Sequence, residues 1–81
     1  MTINEKIKID FKVPDYINDM ILELEEIAKL AKSENIDKQK VSDMWVEKAS
    51  ELEVCSLMAH RNGKLTYEEH LKLMYRYDKL G

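Results

Sequence analysis

The chain has 81 residues, is 44% hydrophobic and 36% charged, and carries a formal net charge of −3 with only two Gly and one Pro. This length fits one domain near the lower limit for a self-sufficient core, and the composition excludes a disordered chain. A mildly acidic balance gives no general drive towards nucleic acid, and a single cysteine, Cys55, excludes an internal disulfide.

The first residues, MTINEKIKIDF, alternate charged and apolar types and do not read as a signal peptide. No run of about 18 apolar residues marks a membrane span. Lone Cys55 without an export signal reads as a reduced thiol, so a cytoplasmic protein is expected.

Residues 5–13 predict a strand, with Ile7, Ile9, Phe11 and Val13 on one face and Lys6, Lys8, Asp10 and Lys12 on the other. Pro14 favours an extended Val13 and suits the start of a helix. The first helix is expected over about 14–33, where Ile17, Ile21, Leu24, Ala28 and Ala31 make a stripe flanked by Met20, Ile27 and Leu30. Residues 14–35 hold six acids against Lys29 and Lys32, and Asn35 is expected as a left-handed stop.

A second helix is expected over about 38–62, capped by Asp37 or, as a competing start, by Ser42. Its stripe is Val41, Trp45, Ala49, Leu52, Cys55 and Ala59, with Val46, Val54 and Leu57 widening the apolar surface. Gly63 suits the left-handed position that ends it. Thr66 and Glu69 form a capping-box pattern that opens a third helix over about 66–79. Tyr67, Leu71, Met74 and Tyr75 are expected to face inward, and Leu73, Tyr77 and Leu80 to form a second line off that face. The fold class is therefore mainly α, a short N-terminal β-strand followed by three helices, in a single domain covering 1–81.

No catalytic, cofactor or metal site emerges from the pattern. Cys55 lies on the core stripe, five residues from His60, an offset that points the side chains apart. Neither His60 nor His70 has a Glu three residues before it, as a di-iron bundle requires, and both read as solvated. The string RNGKLTYEEH is similar to half an EF-hand loop, but setting Gly63 at position 6 puts Met58 at position 1, where calcium needs a hard oxygen. A helix stop followed by a capping box explains the same residues.

A single strand leaves backbone groups unmet, so it is expected to pair across a two-fold axis in a homodimer. The alternative is an extended arm packed over the chain's own helices. The strand–helix–helix order over residues 5–58, with KIKIDFKVP, the helix IxxMIxELEEIAK and the Asp37-capped second helix, resembles the ribbon-helix-helix repressors of Arc and MetJ type. The resemblance implies a DNA-binding regulator whose ribbon reads the major groove through Lys6, Lys8 and Lys12, with Lys38 and Lys40 at the phosphate. SENIDKQK departs from that family's usual connection, and Asp10 would face the groove.

The reading set ahead of it is a small non-enzymatic interaction or regulatory protein with a protein partner. Leu73, Arg76, Tyr77 and Leu80 are its expected contact surface. The Lys/Ile/Glu-rich usage and the closing MYRYDKLG are similar to small proteins of phages and conjugative elements, which include inhibitors of host defence enzymes.

Overall fold

In the computed structural model, which describes residues 3–78, three helices follow one another: α1 (Asp15–Leu30), α2 (Lys38–Arg61) and α3 (Tyr67–Arg76). Their boundaries follow local chemistry. Pro14 sits just outside α1, and its carbonyl accepts from the Ile17 and Asn18 amides, each at 3.0 Å. Asp37 caps α2 by accepting from the amides of Gln39 and Lys40, which settles the start at Asp37 rather than Ser42. The reciprocal capping box of Thr66 and Glu69 opens α3. Gly63, at φ +75°, reverses the chain after α2.

Three expectations change. Among the described residues Asn35 does not take a left-handed conformation, and α1 instead ends in tight turns through Ala31, Lys32 and Ser33. The third helix ends at Arg76, before the expected 79, a residue outside the described ones. The strand over 5–13 is absent, and among the described residues no strand forms. Its alternation still holds as a facing pattern. Ile9, Phe11 and Val13 pack against the core, while Lys6, Lys8, Asp10 and Lys12 are exposed. Alternation specifies which side chains are covered, not which backbone pairs with which.

Helix α2 is central. Both α1 and α3 pack antiparallel along it, as shown by Lys38 reaching the Ala31 carbonyl, Lys48 reaching Glu23 at 2.6 Å, and Trp45 donating to the Asp78 carbonyl at 2.9 Å. No Cα of α1 comes within 8 Å of one in α3. The N-terminal arm covers the gap between them. The Asn4 amide donates to the Arg76 carbonyl at 2.9 Å, and Arg76 Nη1 donates to the Ile7 carbonyl at 2.7 Å. Lys72 lies 3.6 Å from Asp10 and over the Phe11 ring. The core beneath comprises Ile17, Leu24, Trp45, Leu52, Leu73 and Tyr77 with their neighbours.

Replacing Arg76 with Ala removes charge-assisted hydrogen bonds from a mostly buried joint. We expect a loss of about 1–3 kcal/mol in urea denaturation, with faster hydrogen exchange of the Asn4 amide; undiminished protection there would contradict the clamp. Gly63→Ala meets nothing within 4 Å, so its cost is purely conformational. We expect about 1–2 kcal/mol by the same denaturation assay, and less for Gly63→Asn; equal stability of all three chains would rule out that cause.

Candidate functional site

Two of the four residues of the expected contact surface lie inside the fold. Leu73 is fully buried and Tyr77 is 2% exposed, because this line, not the Tyr67–Tyr75 line, faces α2. Arg76 is engaged by the arm and by Tyr77 Oη, which accepts from its Nε at 3.0 Å. Leu80 lies outside the described residues. Tyr67 and Tyr75 are exposed, and Leu71 and Met74 are half-buried. Burial pushes the Tyr77 phenol above its usual range, which keeps it protonated.

The expected DNA-contacting residues do not converge. Lys6, Lys8 and Lys12 are exposed on the arm, where no ribbon forms among the described residues. Lys12 borders a hollow with Lys64, beyond the C-terminal end of α2, whereas Lys38 opens that helix. At 1.5 Å per residue the helix separates its ends by about 36 Å. The Lys38 ammonium donates to the carbonyls of Ala31 and Ser33, so it closes the end of α1. Lys40 is exposed on the first turn of α2.

Both histidines are structural rather than solvated. His60 Nδ1–H donates to the Leu65 carbonyl at 3.1 Å, across the α2–α3 turn. His70 is 7% exposed, and its Nδ1 lies 2.6 Å from Ser56 Oγ, which lies 3.2 Å from the Glu53 carbonyl. A relay of His70 N–H to Ser56, and Ser56 O–H to Glu53, satisfies all three groups. Ser56 itself is fully buried. Ser56 takes the core position expected for Cys55, which is half-buried and free. Among the described residues, no group of three or more His, Cys, Asp or Glu could hold a metal ion.

Burial, followed by the nearby His60, lowers the His70 pKa below its ordinary 6.5. The unfolded chain therefore takes up a proton before the folded one does. The stability that neutral His70 contributes is complete above about pH 6.5 and declines as pH falls towards the folded-state value. Denaturation midpoints at neutral pH and about pH 5.5 should differ more for the native chain than for Ser56→Ala/His70→Leu, which removes both partners together. An identical drop in both proteins would assign the effect to carboxylates instead.

A groove of about 490 Å³ runs along the α1–α2 seam, on the side of α1 away from the arm. Its floor is Leu22, Ile27, Leu30 and Met44, and its rim is Glu23, Glu26, Glu47 and Lys48. Leu22, Leu30 and Met44 are 53%, 41% and 40% exposed, so the apolar surface is open to water. The sequence pattern gives little sign of it. Leu22 and Met44 lie off the core stripes, and only their shared seam in the fold brings them together. Lys48 lies between Glu23 and Glu51, with Nζ–O distances of 2.6 and 2.9 Å, and Glu23 followed by Glu51 holds its pKa above the ordinary lysine value. Val54 and Met58 are also exposed, and neither lines this groove.

No family model, curated protein or solved structure matches this chain. Among the described residues no helix is long and apolar enough to cross a membrane.

Proposed function

We propose that this chain is a small non-enzymatic protein-interaction module, and that the groove at the α1–α2 seam is its docking surface. The observation that carries this reading is the run of exposed Leu22, Leu30 and Met44 in one concavity. Contiguous exposed apolar surface rimmed by polar residues marks an interaction site, whereas scattered exposed residues do not. A groove between two antiparallel helices accepts a third helix by the packing that forms the bundle itself. The polar groups most suited to chemistry, Ser56 and His70, are committed to the core, which supports contact rather than catalysis. The dispersal of Lys12, Lys38 and Lys40 is the reason for preferring a protein partner to DNA. A lone free thiol, Cys55, supports a cytoplasmic setting.

A photo-crosslinking residue at position 22 tests this in the native cell. A discrete crosslinked partner is expected, reduced at least about tenfold when Leu30 is also changed to Asp, since burying a charge in an apolar interface is strongly unfavourable. Leu30 is exposed enough for that change to leave the helix content intact. A partner captured equally well by both proteins would place docking elsewhere.

A further inference from the structure

We propose that the α1–α2 groove takes a basic amphipathic helix, with apolar residues on Leu22, Leu30 and Met44 and Lys or Arg residues on Glu26 and Glu47. This rests on the interaction reading above and specifies the chemistry of the partner. Leu22 and Leu30 are eight positions apart on α1, about 12 Å along its axis, which two turns of a docked helix cover with apolar residues spaced i, i+4, i+7.

Charge complementarity selects the occupant. Lys48, the cation on the rim, is already shared by two carboxylates, Glu23 and Glu51. Glu26 meets Lys29 at 3.4 Å, with both side chains more than 70% exposed, an exchangeable surface pair. Glu47 has no ion-pair partner among the described residues. Glu26 and Glu47 therefore flank the apolar floor as carboxylates held by no buried counter-charge, whereas Glu23 is neutralised by Lys48. A second copy of this chain fits poorly, because a two-fold axis through the groove would set the same acidic rim against itself. Nucleic acid and anionic lipid are disfavoured for the same reason.

The test uses two fluorescein-labelled helical peptides of about 18 residues with identical Leu spacing, one flanked by Lys and one by Glu. Fluorescence anisotropy with the full chain should show the Lys-flanked peptide binding at least about tenfold tighter, with the difference shrinking as salt screens the rim. Glu26→Lys/Glu47→Lys should reverse the preference, and Leu30→Asp should weaken both peptides. Equal binding of the two peptides, or no binding of the Lys-flanked one, overturns the proposal. So does a dimer in sedimentation that Leu30→Asp dissolves, since a second copy would then fill the groove. A groove-dependent crosslink to an acidic or uncharged segment would overturn the basic-helix proposal while leaving the interaction reading standing. Loss of groove dependence in that crosslink would remove the reading itself.

Discussion

The fold depends on how one gap is closed. Helices α1 and α3 both lie against α2, with no Cα of one within 8 Å of the other, so the sides of Ile21 and Tyr77 between them would face water without a cover. The N-terminal arm closes over that side, leaving a hollow of about 340 Å³ beneath it, and Arg76 fixes the arm there. Its guanidinium donates to the Asn4 and Ile7 carbonyls and to Tyr77 Oη, and stands 4.0 Å from Glu25 of α1. A charge with little exposure is tolerable only when several acceptors surround it. The planar fork of arginine reaches acceptors on three segments at once, which a lysine ammonium would not do as well.

Closing that side within the chain has a consequence for function. The arm commits its apolar face to its own helices, so the backbone of residues 4–7 is turned inward on itself and on α3 rather than offered as an edge for another chain. What the arm does not line is the α1–α2 groove, where among the described residues no third element covers Leu22, Leu30 and Met44. One side of the bundle is sealed in cis, and the other is left apolar, concave and acidic at its edges. Small domains have little apolar surface to spare, which is the reason for proposing a partner at this groove.

The helices were legible in the sequence because their ends are chemical. Asp37, the Thr66–Glu69 pair and Gly63 each satisfy a local backbone requirement that needs no tertiary context. The faces were less legible. On α3, counting Tyr67 and Tyr75 as core residues pointed to the wrong stripe, because an aromatic ring is as apolar on the surface as it is inside. The buried line runs His70, Leu73, Tyr77 and includes a histidine that hydropathy does not count. The same holds on α2, where Ser56 rather than Cys55 continues the buried stripe and meets His70 opposite it. The groove was hidden for a related reason: Leu22 and Met44 belong to two helices and to neither core stripe, so periodicity within one helix cannot assemble them. The strand failed on the one property that alternation does not encode, the identity of the hydrogen-bonding partner.

The most direct test of this account is an isotope-filtered nuclear Overhauser experiment on a mixture of carbon-13-labelled and unlabelled chains. The account predicts contacts from the Phe11 ring to Lys72 and from the arm to Ile21 in the uniformly labelled protein, and none of them in the filtered spectrum of the mixture. Filtered contacts from the arm to helices of another chain would show that the gap is closed in trans, and the separation between a sealed face and an open docking face would fail.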